Sequence, residues 1–258
     1  MNKILTVKCG GSIIHELSDT FFESLKELKD LGYCLVFVHG GGPDINEMLS
    51  KEGIEPVFIN GLRKTTKEVL GIAELILSGK TNRCLVEKLE SHGIPAIGLN
   101  GSDCGIFQAK LIDETALGAV GQITNVHTEV LGALLEKGVT PVLTPISSTG
   151  LGKKANVNAD MAAGAAAKAL NSEMCLFVTD VKGVLIEREI QKRLTKTETD
   201  SYINDGKIYG GMIPKVNTAL AVLDQGVRDV MIVSGKERFF QNGEFIGTKF
   251  VKEERVMN

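Results

Sequence analysis

An α/β sandwich built on a mainly parallel sheet is the fold this sequence predicts, and three observations predict it. Continuously apolar runs of strand length recur along the chain, stretches with helical periodicity separate them, and a glycine follows several of those helices. Unbroken apolar runs mark strands covered on both faces, which is the situation of a parallel sheet lying between helices.

In chain order, a run at 4–7 opens the sheet, and a helical pattern over 19–31 returns the chain to a second run at 34–38. Gly32 lies between them, where a left-handed residue ends a helix at little cost. Helical patterns over 44–51, 67–77 and 82–91 follow, the last stopping at Gly93 before the run at 96–99. A helix over 128–136, closed by Gly138, leads to the run at 139–143, and one over 161–170 leads to the run at 174–178. The helix over 215–225 stops at Gly226 before the run at 230–233. Polar-apolar stretches at 56–60, 106–112, 121–125 and 184–190 read as antiparallel hairpins added to that sheet. No low-complexity linker divides the chain, which reads as one domain over 1–258 with a seam near 170–173. The seam separates an N-terminal lobe of about residues 1–172 from a C-terminal lobe of about residues 173–258.

With 258 residues, 43% of them hydrophobic, the chain can bury a large core, and its formal net charge of -3 gives no field that would draw it to nucleic acid or anionic lipid. Tryptophan is absent and aromatic residues make up 5%, which argues against stacking platforms for single strands. No window resembles a membrane span or a signal-peptide core, so a cytoplasmic location is expected. The five cysteines stand singly, with no paired spacing and no histidine at ligand distance, so reduced thiols and no metal held by the protein are expected.

Five stretches depart from what packing asks for. They are VKCGGS (7–12), HGGGPD (39–44), NGLRKT (60–65), NVNAD (156–160) and GGMIPK (210–215). Three consecutive glycines between a strand and a helix carry a large conformational cost for a simple turn. Bare backbone of this kind serves a tight crossing, a left-handed turn or a row of N–H groups aimed at an anion. Lys8 closes an apolar strand beside Gly10 and Gly11, at the carboxyl end of a strand, where open α/β sheets form their ligand crevice. Lys215 begins a helix, where its charge opposes the macrodipole unless a polyanion lies there. Arg63 carries a planar fork suited to a carboxylate or phosphate. Asn156, Asn158 and Asp160 precede a helix that needs only one side chain as its cap. Each lysine and the arginine has a plain alternative reading as a solvated surface group. Several other chemistries fail on spacing: Gly79-Lys80-Thr81 lacks the first glycine of a P-loop, whose place is held by Glu74, and no dinucleotide fingerprint, nucleophile elbow or protein-kinase catalytic loop occurs.

Taken together and in order, K-x-G-G, H-G-G-G, N-G-L-R, N-x-N-A-D and G-G-M-x-x-K resemble the acetylglutamate kinase branch of the amino acid kinase family, over nearly the whole chain. The resemblance implies a three-layer α-β-α sandwich, with the amino-acid substrate and dimerisation in the N-terminal lobe and the nucleotide in the C-terminal one. It implies transfer of a phosphoryl group from ATP to the γ-carboxylate of N-acetyl-L-glutamate, in L-arginine biosynthesis, with Mg2+ carried mainly on the ATP phosphates. Residue by residue, it assigns Lys8 and Lys215 to the phosphoryl group in flight, and Asp160 to orienting both lysines. Gly41, Gly42, Arg63 and Asn156 fall to the acidic substrate. Gly10 and Gly11 fall to the nucleotide phosphates, and Asp180, Val181, Lys182, Gly183, Val184 and Leu185, with Lys207, Ile208 and Tyr209, to the nucleotide. Relatives inhibited by arginine carry an extra N-terminal helix, whereas the first strand here begins a few residues after Met1, so a homodimer insensitive to arginine is expected. Gly210 stands where some relatives have aspartate. Kinases of aspartate, glutamate, carbamate, UMP or a carrier-bound aminoadipate, and an inactive ligand sensor, are the competing readings.

Overall fold

Eight strands form one sheet in this computed structural model, which describes residues 3–150 and 152–253. In chain order they are β1 (Lys3–Cys9), β2 (Tyr33–His39), β3 (Ala96–Leu99), β4 (Thr140–Leu143), β5 (Met174–Thr179), β6 (Arg193–Leu194), β7 (Val230–Ser234) and β8 (Thr248–Phe250). Across the sheet the order is β6-β8-β7-β5-β1-β2-β4-β3. The six strands from β7 to β3 in that order are parallel, and β8 runs antiparallel beside β7 with β6 parallel to it at the edge. The chain leaves β1 for β2 on one side and later returns as β5 on the other. The carboxyl end of β1 is therefore the switch point at which a crevice opens.

Alternation along each strand assigns side chains to one face or the other. Leu5, Val7, Leu35, Phe37, Leu176, Val178, Met231 and Val233 face α1 (Asp19–Asp30), which contributes Phe21, Phe22, Leu25 and Leu28. The opposite face, with Val36, Val38, Cys175, Phe177, Val230 and Ile232, is covered by further helices. Still in chain order, α2 (Gly42–Lys51), α3 (Lys67–Leu75), α4 (Asn82–Ser91), α5 (Glu129–Glu136), α6 (Ala159–Ala169), α7 (Lys196–Asn204) and α8 (Met212–Asp224) complete the longer helices. Of these, α4 joins α1 on its face, while α5, α6 and α8 cover the other. The result is the α-β-α sandwich expected. Alanines at 162, 163, 166 and 167 let α6 lie close on the sheet, and a Cβ at Gly164 would fall 2.9 Å from Val222 Cγ1, so α6 and α8 touch through that glycine. Gly32, Gly93, Gly138 and Gly226 all have positive φ at helix ends, as the capping argument requires.

Two expectations are corrected. None of the four stretches at 56–60, 106–112, 121–125 and 184–190 is an addition to the sheet: the first and last lie in separate two-stranded hairpins, Phe58–Ile59 with Leu62–Arg63 and Leu185–Ile186 with Glu189–Ile190, and the other two lie elsewhere. As strands Phe107–Leu111 and Val120–Val126, those two join Ile146–Gly150 and Lys153–Val157 in a small closed barrel, packed against α6. The barrel interior is narrow because Ala109, Gly121 and Ala155 meet there, and a Cβ on Gly121 would fall 2.7 Å from that of Ala155. The helix bearing Lys215 begins at Met212, not at Lys215 itself. Pro214 fits inside its first turn because the missing N–H would have no partner there.

Candidate active site

Two loops cross at the switch point. One follows β1 through Gly10 and Gly11, and the other follows β2 through Gly40, Gly41 and Gly42. A Cβ on Gly11 would lie 2.5 Å from Gly41 Cα, and one on Gly41 would lie 2.8 Å from Leu77 Cδ2. Gly11 is therefore required by close approach to the Gly41 backbone, and Gly41 by the Leu77 and Thr81 side chains packed against it. Gly10 and Gly42 have no such crowding, and both border open space. The residues against Gly41, Leu77 and Thr81, come from a π-helical stretch, Ile76–Thr81, inserted between α3 and α4. Such a bulge re-aims side chains within a continuous helix. Here it carries Thr81 Oγ1, which donates to Asp44 Oδ2 at 3.1 Å.

Asp44 is the bolt of this crossing. Its carboxylate accepts from Thr81, pairs with Lys80 Nζ at 2.9 Å and lies 3.4 Å from His15 Nε2, so one side chain ties the helix after the triple glycine to both neighbours. Burial pushes its pKa upward, but the hydrogen bonds of Lys80, His15 and Thr81 outweigh that and hold it below the usual carboxylate range.

His39, fully buried, fixes the other end of the glycine loop. Its Nδ1 lies 3.0 Å from Gly40 O, and its Nε2 lies 3.0 Å from Asn82 Nδ2, whose amide also donates to Val142 O at 2.9 Å. A ring that donates at Nδ1 and accepts at Nε2 is neutral. Burial holds its pKa down to about 4. An unfolded His39 takes up its proton near pH 6.5 while the folded one resists to about 4. Its contribution is thus fully present above about pH 6.5 and is lost progressively as pH falls through that window, by up to about 3 kcal/mol. Urea unfolding at pH 7 and pH 4.5 checks this. His39→Gln, whose amide can also donate and accept, should flatten that part of the pH dependence.

Lys8 sits on the face of β1 that looks toward α6, and its Nζ is 2.8 Å from Asp160 Oδ1 in the first turn of that helix. Asn158 is the cap, accepting from the N–H groups of Asp160 and Met161. The other two polar side chains of the segment are left for different work. Asn156 donates to Thr65 Oγ1 at 3.2 Å, and Asp160 holds Lys8.

Two cavities meet at Lys8, Gly10 and Asp160. The smaller, about 300 Å³, is bordered by Gly11, the triple glycine, Arg63 and Asn156. Arg63 stands on a short hairpin, Phe58–Ile59 with Leu62–Arg63, with its guanidinium carbon 4.7 Å from the centre of the Phe58 ring. Its Nη2 reaches Gly42 O only at 3.4 Å, and its buried Nη1 has no hydrogen-bond partner among the described residues. Burial lowers its pKa from the ordinary guanidinium value. A buried donor without a partner is costly, and this one belongs to a guanidinium that borders the cavity.

The larger cavity, about 560 Å³, continues from Lys8 past Thr179 and Asp180 to Lys215. Lys215 Nζ is 2.7 Å from Asp180 Oδ1, and that hydrogen bond, with its charge, holds Asp180 below the usual carboxylate range. The structure thus divides the lysines. Asp160 holds Lys8, whereas Lys215 is held by Asp180.

The nucleotide segments are brought in only partly. Asp180 borders the larger cavity, but the side chains of Val184 and Ile208 are buried in the core of the α6 face. Lys182 pairs with Glu237 at 2.7 Å, and Lys207 lies over the Tyr202 ring. Tyr209, Leu185 and Val181 stand outside both cavities, as does Gly183. Residues that the motifs did not single out border the larger cavity: Glu16, Thr179, Thr218 and Lys236. Among the described residues no group of three side chains of metal-ligating type stands together, and no helix is long and apolar enough to cross a membrane.

Residues 3–234 match the model of the amino acid kinase family. Acetylglutamate kinase of Bacillus licheniformis is 48% identical over 258 residues, covering all of both chains, and that of Bacillus subtilis is 46% identical over the same full length. A crystal structure from Streptococcus mutans superposes with a TM-score of 0.82 at 30% identity, covering 97% of this chain and 99% of that one.

Proposed function

From the premise that this chain belongs to the amino acid kinase family, we infer that it is a kinase that phosphorylates the γ-carboxylate of N-acetyl-L-glutamate, forming an acyl phosphate in arginine biosynthesis. The observation that carries this reading is the pair of cavities joined at Lys8: one is bordered by the Arg63 guanidinium, the other by a second lysine. A small acidic molecule suits the first and a polyphosphate suits the second, and the bond to be made would lie at their junction. ATP as phosphoryl donor, a cytoplasmic location and a homodimer belong to the same proposal, as does the division into a substrate lobe of about residues 1–172 and a nucleotide lobe of about residues 173–258.

The chemistry needs no general base, because the acceptor carboxylate is already ionised near neutral pH. One carboxylate oxygen forms a bond to the γ-phosphorus, the bond to the β-γ bridging oxygen breaks, and ADP leaves with that electron pair. What remains for the protein is alignment and charge. Lys8 stands where the transferring group would pass, Lys215 faces it across the larger cavity, and Gly10 and Gly42 leave room for close approach of an anion. The two carboxylates beside these lysines are each held in an ion pair, so they do not offer a prepared metal site. Magnesium enters as MgATP, part of the substrate.

Arg63 grips the acceptor through a carboxylate that does not react, an interaction present before and during transfer. Arg63→Ala should therefore raise KM for N-acetylglutamate by roughly tenfold or more while changing kcat less. A coupled ADP-release assay with MgATP tests the function itself, run with N-acetyl-L-glutamate, glutamate, aspartate and carbamate in parallel. Turnover with N-acetylglutamate alone is expected, and turnover confined to another acceptor would refute the substrate.

A further inference from the structure

We propose that Lys236 is a ligand for the polyphosphate of the nucleotide, held ready by Glu16 and exchanged onto a phosphate oxygen when the nucleotide binds. This rests on the reading of the larger cavity as the nucleotide site.

Three lysines reach this cavity, and each is paired with a carboxylate. Lys8 pairs with Asp160, Lys215 with Asp180, and Lys236 Nζ with Glu16 Oε2. The third pair stands at the rim and is about half exposed, and an ion pair in that setting adds little stability. A phosphate would give Lys236 a charge-assisted hydrogen bond in place of one that costs little to release.

Its backbone, in contrast, is held on all sides. Ser234-Gly235-Lys236 turns at the carboxyl end of β7, whose Ser234 lies in register with Thr179 of β5, one residue before Asp180. The Gly235 N–H donates to Thr179 O at 2.8 Å, and Gly235 O accepts from the Ser18 N–H at 3.0 Å. The Lys236 N–H donates to Ser234 Oγ at 3.1 Å. A Cβ at Gly235 would fall 2.7 Å from Ile13 Cγ1 and 2.9 Å from Val178 Cγ1, so the turn is packed as core while the lysine that follows projects over the cavity. Glu16 reaches the same rim from just beyond the Gly11–Ile14 turn. The hydrogen bond that Lys236 donates to Glu16, with that carboxylate's charge and the more distant one of Asp180, holds the ammonium above its ordinary range. It is charged at every working pH. A fixed strand-end turn, a mobile cation and a weak, replaceable partner are what recognition of a flexible polyanion calls for.

The test is isothermal titration of the full chain with ADP, for the wild type, Lys236→Met, Lys236→Arg and Glu16→Gln, with thermal melts to verify folding. Lys236→Met should weaken ADP about tenfold, the equivalent of one charge-assisted hydrogen bond, with little change in melting temperature. Lys236→Arg should stay within about threefold of the wild type, and Glu16→Gln should bind ADP as well or better, because its lysine no longer has a competing carboxylate. Unchanged ADP affinity in Lys236→Met overturns the proposal. So does an arginine variant as weak as the methionine one, or a loss in Glu16→Gln equal to that in Lys236→Met, since either would mark a purely structural ion pair. Should Lys236→Met fail to fold, the arginine and Glu16→Gln variants decide on the same criteria. A wild type that binds ADP but does not turn over N-acetylglutamate would refute the acceptor alone, and one that binds no ADP would refute both readings.

Discussion

Lys8→Met is expected to lower kcat by about 10²–10³-fold, the usual cost of removing one preorganised donor from a developing negative charge. The expectation follows from position. Alternation along β1 sends Leu5, Val7 and Cys9 into the core under α1 and turns Lys8 to the other face, at the point common to both cavities. Its side chain is only 16% exposed, so its charge acts in a medium where water screens it less than at the surface. The substitution also leaves Asp160 without its counter-charge beside an incoming phosphoryl group, which adds repulsion to the lost attraction. The double variant Lys8→Met/Asp160→Asn should accordingly be less impaired than the two single effects combined, because residues in one network do not add. Steady-state kinetics with each substrate varied would measure this, with kcat falling far more than either KM rises. A kcat within a few fold of the wild type would remove Lys8 from the chemistry.

Gly11→Ala is expected to damage both the fold and the activity. The added Cβ would meet Gly41 Cα at 2.5 Å, and neither partner is a flexible side chain that could swing away. Overpacking of this kind costs about 1–3 kcal/mol. The loops would part to relieve it, and a displacement of about 1 Å in a positioning group can cost roughly 10²-fold in rate. Gly42→Ala is the control, since a Cβ there lies 4.0 Å from Arg63 Nη2 and meets no backbone. It should fold normally, with any effect confined to binding in the smaller cavity. Chemical denaturation of the two variants, followed by kinetics at saturating substrate, separates these outcomes. Equal stability of Gly11→Ala and the wild type would contradict the crossing as described.

The parallel core of the sheet was legible because its strands are buried on both faces and therefore read as uninterrupted apolar runs, such as Leu35 to Val38. The barrel strands Ile146–Gly150 and Lys153–Val157 were not, because a narrow interior filled by alanine and glycine leaves no apolar alternation to read. Helix α7 has a start signal in its sequence, the capping box of Thr195 and Glu198, but no apolar periodicity behind it, because the helix buries little apolar surface. Within the site, glycine-flanked lysines and an arginine stood out because packing gives no reason for them. Division of labour within the triple glycine did not, since which glycine is crowded by side chains and which faces a cavity depends on the π-helical turn at Ile76–Thr81. The separate partners of Lys8 and Lys215 were also out of reach, because Asp180 and Lys215 are brought together only by the pairing of β5 and β7 and the docking of α8 against β7. Lys236 is illegible in the sequence for the same reason, as a single Gly-Lys pair after a strand says nothing about what its glycine packs against.

Transfer of phosphate to a carboxylate oxygen is the central claim, and one isotope measurement addresses it. N-acetyl-L-glutamate labelled with ¹⁸O in its γ-carboxylate would be incubated with the enzyme, MgATP and hydroxylamine, and the released phosphate examined by ³¹P NMR. Hydroxylamine attacks the acyl carbon, so the oxygen bridging carbon and phosphorus departs with phosphorus. Phosphate carrying one ¹⁸O atom, with γ-hydroxamate in equal amount, is the predicted result. Unlabelled phosphate without hydroxamate would mean that water, not the carboxylate, receives the phosphoryl group.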